Sequence, residues 1–332
     1  MNIAGTSNIR LLVTGGTGFV GSHTIAQLLT DSRWKHADVV IIDNLSNSHR
    51  GLLVIYSSVS LNEIVEVINR LRQITGRTVT LFVGDITLQH DVDAVFEQYG
   101  PFDAVLHFAA LKSVAESIRI PLEYYKVNIA GTITLLQSME RHGCFRLVVS
   151  SSAAVYTGSK RFPAKEEQAG EGYIPSPYGW SKWCLERSCM DAAKANPRWR
   201  AILLRYFNPA GAHSSGLIGE DPRGVPMNLA PFVAQVAIGL RDRVSVFGGD
   251  WDTPDGTCVR DYIHIMDLAD GHVRALDMLF DSIQEGQVEA FNLGTGTGYS
   301  VLDVIHAMQR ASQRDIPYEV SFKVFMVFVQ YH

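Results

Sequence analysis

Ile9-Arg10-Leu11-Leu12-Val13 runs through Thr14 into Gly15-Gly16-Thr17-Gly18-Phe19-Val20-Gly21. The first segment, apolar apart from Arg10, reads as a buried parallel strand. Glycines at 15, 18 and 21 then close a turn and open a helix from about Gly18 to Leu29. Gly15 permits the tight turn, Gly18 lets the backbone approach a pyrophosphate, and Gly21 permits close helix packing. The N–H groups at the helix N-terminus face the anion. Asp38-Val-Val-Ile-Ile42 is the next strand and ends at Asp43, completing a βαβ unit. Glycine turns join strands to helices in many proteins; the order strand, glycines, helix is what favours a dinucleotide here.

Asp43 lies 22 residues after Gly21. A carboxylate there accepts hydrogen bonds from an adenosine ribose and repels a 2'-phosphate, which favours NAD over NADP. Arg50 nearby keeps NADP as the lesser alternative. Gly84-Asp85-Ile86 ends a third strand, where a carboxylate can receive an adenine amino group. That third strand is expected at Val79 to Val83, and further strands at Ala104 to Phe108, Arg146 to Ser150 and Arg200 to Tyr206. Ser60 and Glu63 form a capping-box signature ahead of an amphipathic helix carrying Ile64, Val67, Ile68 and Leu71. Another helix is expected around Tyr178 to Ala195. The alternation implies an α/β fold, a doubly wound parallel sheet covered by helices on both faces. Beyond Asn208, glycines, prolines and short elements dominate, which suits a smaller substrate-binding lobe. The expected division is residues 1–207 for the nucleotide-binding domain and 208–332 for that lobe.

The 332 residues, 46% of them hydrophobic, are enough for a sizeable core. A net charge of -5 argues against a nucleic-acid partner. Cys144, Cys184, Cys189 and Cys258 show no Cys-x-x-Cys spacing and read as reduced thiols of a cytoplasmic protein. The run Ile9 to Val13 is too short for a signal peptide, and no apolar stretch reaches membrane-spanning length. The 11 histidines form no ligand-spaced set, so no catalytic metal is expected. His107 and His264 read as core or supporting residues.

Tyr178-Gly-Trp-Ser-Lys182 carries the chemistry. Residues four apart share a helix face, and a lysine ammonium beside a phenol favours the phenolate. On that reading the Tyr178 pKa falls and Tyr178 becomes a general base. Taken singly, Lys182 could equally be a solvated helix lysine, Ser152 a strand end, Arg260 a partner of Asp261 or Asp255, and Asn208 a turn residue before Pro209.

Joined together, these motifs resemble the extended short-chain dehydrogenase/reductases: the glycine turn, His107-Phe-Ala-Ala-Leu-Lys112, Ser150-Ser-Ser-Ala-Ala-Val-Tyr156 and Tyr178 to Lys182. Arg205-Tyr-Phe-Asn-Pro-Ala-Gly-Ala-His213, Asp255-Gly-Thr-Cys-Val-Arg-Asp-Tyr-Ile-His264 and Asn292-Leu-Gly-Thr-Gly296 narrow the resemblance to the UDP-glucose (UDP-galactose) 4-epimerase family. It runs from about Ile9 to Tyr318. The resemblance implies a Rossmann-type fold, bound NAD, a UDP-sugar substrate and a homodimer formed through paired helices. It implies Ser152, Tyr178 and Lys182 as the catalytic trio. The implied NAD contacts are Gly15, Gly18, Phe19, Val20, Gly21, Asp43, Asn44, Leu45, Ser46, Asn47, Ser48, Asp85, Ile86, Phe108, Ala109, Ala110, Leu111, Lys112 and Asn128, with Tyr178, Lys182 and Phe207. The implied sugar-nucleotide contacts are Ser152, Asn208, Asn228, Leu229, Val246, Phe247 and Arg260. The expected reaction is reversible 4-epimerisation of UDP-glucose and UDP-galactose through a 4-keto sugar, with hydride held transiently on tightly bound NAD.

Two departures bear on this reading. Val127 stands where the family often has a second asparagine beside Asn128. After Ile316-Pro-Tyr318 the family continues with an arginine-rich segment, whereas here seven of the eight residues from Phe322 to Val329 are apolar. This segment is expected to be a strand on the sheet or the product of truncation or alternative processing. Two alternatives stay open: a catalytically impaired NAD or nucleotide-sugar binding protein, and a related dehydratase or decarboxylase. A 4,6-dehydratase would want an acid where Ala153-Ala154 sit.

Overall fold

Strand β1 (Arg10–Thr14) sends Leu11 and Val13 to one face and Leu12 to the other, all essentially inaccessible to solvent. That pattern requires cover on both sides of the sheet. The computed structural model describes residues 9–47, 66–159, 161, 163–222 and 224–321. The chain continues through α1 (Phe19–Thr30), β2 (Asp38–Asp43), α2 (Glu66–Thr75), β3 (Thr80–Val83), α3 (Gln89–Tyr99) and β4 (Ala104–His107). Next come α4 (Val114–Arg119), α5 (Pro121–Tyr124), a π-helical turn (Tyr125–Ala130), α6 (Gly131–Arg141), β5 (Arg146–Ser152), α7 (Pro177–Ala195), β6 (Arg200–Tyr206) and β7 (Asn208–Ala210). The remainder is α8 (Leu229–Ala237), β8 (Val244–Phe247), β9 (Val259–His264), α9 (Ile265–Asp281), β10 (Val288–Leu293), β11 (Gly298–Ser300), α10 (Val301–Ser312) and β12 (Tyr318–Ser321).

Seven strands form one sheet in the order β10-β6-β5-β4-β1-β2-β3, and every pairing is parallel. The order reverses between β1 and β4. In a doubly wound sheet the carboxyl ends on either side of that reversal frame the ligand crevice. One core layer joins Leu11, Val13 and Ile41 to Ile25 and Leu28 of α1 and Val273 and Leu276 of α9. The other joins Leu12, Val40 and Val105 to Val92 of α3, Leu135 of α6 and Leu185 of α7.

The expected boundary after Phe207 is crossed by the chain. Helix α9 packs on α1, and β10 pairs with β6 along Val288–Leu293, so residues beyond 208 complete the large sheet. The smaller lobe is built from α8, β8, α10 and β12 around Val233, Val246, Ile305 and Ile316. A three-stranded sheet, β11-β9-β7, connects the two. Strand β12 pairs in parallel with β8. Ser48, Arg50, the Ser60/Glu63 signature with Ile64, and the apolar run Phe322 to Val329 lie outside the described residues.

Candidate active site

The glycine turn takes its shape from contacts that leave no room for a side chain. Gly15 has φ +68, and a Cβ there would lie 2.7 Å from the Ala109 backbone nitrogen. A Cβ on Gly21 would lie 2.5 Å from the Gly15 carbonyl oxygen. The Asp43 carboxylate ties the turn to β2: Oδ2 accepts from Thr17 N at 3.1 Å and Thr17 Oγ1 at 2.6 Å, and Oδ1 accepts from Leu45 N at 2.9 Å. Asp85 accepts from Asn44 Nδ2 at 3.0 Å and from the Thr87 N–H and hydroxyl. Those bonds hold its carboxyl below the usual range against the opposing effect of burial.

At the end of β4, His107 is fully enclosed. Thr132 Oγ1 donates to the Asn128 carbonyl, so it accepts from His107 Nε2, at 2.9 Å. Nδ1 then accepts from Thr14 Oγ1 at 2.7 Å. Burial pushes the His107 pKa down to about 3, so the ring stays neutral and serves to fix the loop that follows β4.

Helix α7 starts where its sequence demands. Ser176 caps it, accepting from Gly179 N at 3.0 Å, and Pro177 occupies the first turn. Tyr178 and Lys182 therefore sit in its first two turns, beside the serines that end β5. The Ser152 hydroxyl is near enough to the Tyr178 phenol to favour its charged form, and Ser152 Oγ accepts from Ala154 N at 3.1 Å. Lys182 Nζ donates to the Ser150 carbonyl at 2.8 Å and to Ser150 Oγ at 3.3 Å. The expected lowering of the Tyr178 pKa by Lys182 is not what this geometry gives. Burial pushes the phenol up, and Ser152 opposes it. The ammonium points instead at Ser150, and burial lowers the Lys182 pKa to about 8. Sequence spacing placed both groups on one face but carried no information about how far water is excluded from them.

One cleft of about 2140 Å³ runs along the carboxyl ends of the sheet. It gathers Gly15, Gly18 to Gly21, Asp43, Asn44, Ser46, Asn47, Asp85, Ile86, Phe108 to Lys112, Ser152, Tyr178, Lys182 and Phe207. From the connecting sheet it gathers Asn208 and Arg260, and from the smaller lobe Asn228, Leu229, Val246 and Phe247. Two expected cofactor contacts fall elsewhere. Leu45 is buried, with φ 57. Asn128 is fully buried: its Oδ1 accepts from Leu111 N at 2.8 Å, and its Nδ2 donates to Leu111 O at 2.9 Å and Ser181 Oγ at 3.0 Å. It clamps the loop after β4, while Val127 lines the cleft.

On the sugar side, Asn208 Nδ2 donates to the Asp261 carbonyl at 2.8 Å. The Asp261 carboxylate accepts from Thr295 N, Thr295 Oγ1 and Gly296 N, and Asp255 accepts from Thr257 and Ser300. Both carboxylates are thus engaged with loops, and Arg260 Nη1 contacts the Val259 carbonyl at 2.6 Å at the cleft wall. Lys112 Nζ and Asn228 Nδ2 meet on Glu220 Oε1, at 2.5 and 2.8 Å. Glu220 carries no sequence signature, since a lone loop carboxylate gives no pattern. Glu186 stands one turn beyond Lys182 on the same helix face, and that spacing is the signal in the sequence that marks it.

A glycine turn closed to side chains at Gly15 and Gly21, an acid at the end of β2 and a Ser/Tyr/Lys group over the sheet define a dinucleotide-binding enzyme of the short-chain dehydrogenase/reductase type. Residues 11–294 match the NAD dependent epimerase/dehydratase family, and the chain belongs to it. It is 47% identical over 311 residues to the UDP-glucose 4-epimerase of Homo sapiens, covering 94% of this chain and 84% of that protein. Its fold is similar to the crystal structure of UDP-glucose 4-epimerase from Bifidobacterium longum in complex with NAD+ and UDP. The TM-score is 0.83 and the identity 44%, covering 95% of this chain and 86% of that one. A UDP-glucose 4-epimerase from Stenotrophomonas maltophila, with bound NAD and formylated UDP-arabinopyranose, gives a TM-score of 0.84 at 40% identity, covering 97% and 88%.

Proposed function

We propose that this chain interconverts UDP-glucose and UDP-galactose by inverting carbon 4 of the sugar. The observation that carries the reading is that Ser152, Tyr178 and Lys182 line the same cleft as both the glycine turn and the Asn228/Arg260 wall. The glycine cradle, Asp43 and Asp85 suit NAD, which when bound supplies the hydride acceptor and donor and a fixed positive charge. The chain's own residues handle the proton and the position. Tyr178 exchanges a proton with the 4-hydroxyl oxygen. Ser152, beside the phenol, steadies that oxygen as it becomes a carbonyl. Lys182 holds its ammonium on Ser150, one helical turn from the phenol. Arg260 offers a planar guanidinium suited to a diphosphate. Ala153 and Ala154, which line the cleft beside Ser152, leave that position without the acid a dehydratase would use.

A homodimer is proposed on the same footing. Leu122, Ile133 and Trp180 are exposed apolar side chains on α5, α6 and α7, which adjoin one another through the π-helical turn. Four free cysteines suit a cytoplasmic setting. Among the described residues no helix is long and apolar enough to cross a membrane. The test is purified protein given UDP-galactose without added NAD. UDP-glucose is the expected product. A keto-deoxy sugar would indicate a dehydratase, and bound NAD with no product would indicate a binding protein.

A further inference from the structure

Each of the three serines that end β5 meets one residue of α7. Ser152 neighbours Tyr178, Ser150 accepts from Lys182, and Ser151 Oγ donates to the Glu186 carboxylate. Positions 178, 182 and 186 are four apart and form one row along the helix. Glu186 is 0% exposed and Arg205 2%. The pair is bidentate, with Arg205 Nε 2.9 Å from Oε1 and Nη2 2.7 Å from Oε2. Arg205 Nη1 donates in turn to Tyr156 Oη at 2.8 Å and the Glu166 carbonyl at 2.6 Å. An ion pair this far from water repays little or none of its desolvation cost, and an apolar pair of similar volume would often serve the fold as well or better. Its placement one turn from Lys182 calls for a reason other than stability.

We propose that Glu186 is a positioning residue for the reaction: it pins α7 to the serine end of β5 and keeps Lys182 charged, while Arg205 fixes the orientation of its carboxylate. The other groups around Lys182 do not supply a counter-charge. His107 from β4 is held neutral by burial, Tyr206 from β6 is raised well above the ordinary phenol value, and Tyr124 from α5 is raised as well. Glu116 from α4 lies behind Tyr124 and accepts its hydroxyl at 2.8 Å. Arg205 is a cation and is spent on Glu186. Burial lowers Lys182, and Glu186 is the group that opposes this.

The kinetic part of this proposal rests on the epimerase reading; its titration part does not. Glu186→Gln removes the charge and keeps the shape, Glu186→Asp keeps the charge, and the double variant Glu186→Leu/Arg205→Met removes the pair while filling its space. Lys182 is followed by NMR of protein labelled at lysine Cε, its signal assigned with Lys182→Met, alongside the pH dependence of kcat for UDP-galactose. In Glu186→Gln and in the double variant the Lys182 titration should move down by about one pH unit or more. The alkaline limb of kcat should move with it, and Glu186→Asp should stay near the parent. A folded Glu186→Gln or double variant in which Lys182 titrates as in the parent overturns the proposal, whatever happens to turnover. If the parent itself fails to convert UDP-galactose, the functional reading falls and the NMR titration alone decides this one.

Discussion

Burial raises the Tyr178 phenol and the neighbouring Ser152 hydroxyl only partly opposes it, so the free cleft favours its protonated form. A residue in that state is ready to donate a proton to a carbonyl oxygen. To accept one from a hydroxyl it needs positive charge nearby, which bound NAD would supply. Replacing Tyr178 by Phe removes the one oxygen that can carry the proton and leaves the ring packing. The expected outcome is a kcat about 10²–10⁴-fold lower with NAD still copurifying, measured as UDP-galactose conversion beside absorbance of the extracted cofactor. A variant with full turnover would remove Tyr178 from the mechanism. The residue types were legible in the sequence because chemistry restricts them: few arrangements other than Ser, Tyr and Lys read this way after a glycine turn. Their protonation was not legible, because a pKa follows burial and partner geometry that residue spacing does not contain.

At the scale of elements, β1, the glycine turn and α1 behave as one unit, since their strand run, turn chemistry and helix start are all local in sequence. Gly21 shows how little slack it has. Alanine there would place a Cβ 2.5 Å from the Gly15 carbonyl oxygen and 2.8 Å from Gly16 Cα, both backbone atoms. Gly21→Ala should cost about 1–3 kcal/mol of stability through overpacking and should lose NAD, read as a lower Tm and a lower cofactor content. Strand β10 was less legible. It is an edge strand of mixed exposure, and its partner β6 lies far upstream, so neither alternation nor proximity announced it. The same holds for the loop after β10, which Asp261 fastens from β9 through Thr295 and Gly296. Asp261→Ala leaves those N–H groups without their acceptor and loosens the wall beside Arg260. The KM for UDP-galactose should rise about tenfold with kcat nearly unchanged, the signature of lost ground-state binding. A fall in kcat at constant KM would place Asp261 in the chemical step instead.

Across the whole molecule the cleft is bridged. Lys112 from the loop after β4 reaches Glu220 of the smaller lobe, and Arg70 of α2 donates to the Leu217 carbonyl at 2.9 Å. The two halves of the site therefore share side chains, which fits a chain whose later residues return to complete the first sheet. The outer surface presents a different problem. Leu122 is 79% exposed, Trp180 46% and Ile133 41%, all on helices on the α7 side of the sheet. Scattered apolar residues need no explanation, but three on adjoining helices suit a symmetric contact, in which each copy covers the same patch on the other. Leu122→Glu places a charge where such a contact would exclude water. Sedimentation velocity should show the parent as a dimer and Leu122→Glu as a monomer at the same concentration, with α-helical circular dichroism retained. A parent that sediments as a monomer would rule out the dimer. A Leu122→Glu variant still dimeric would move the interface to another face of the molecule.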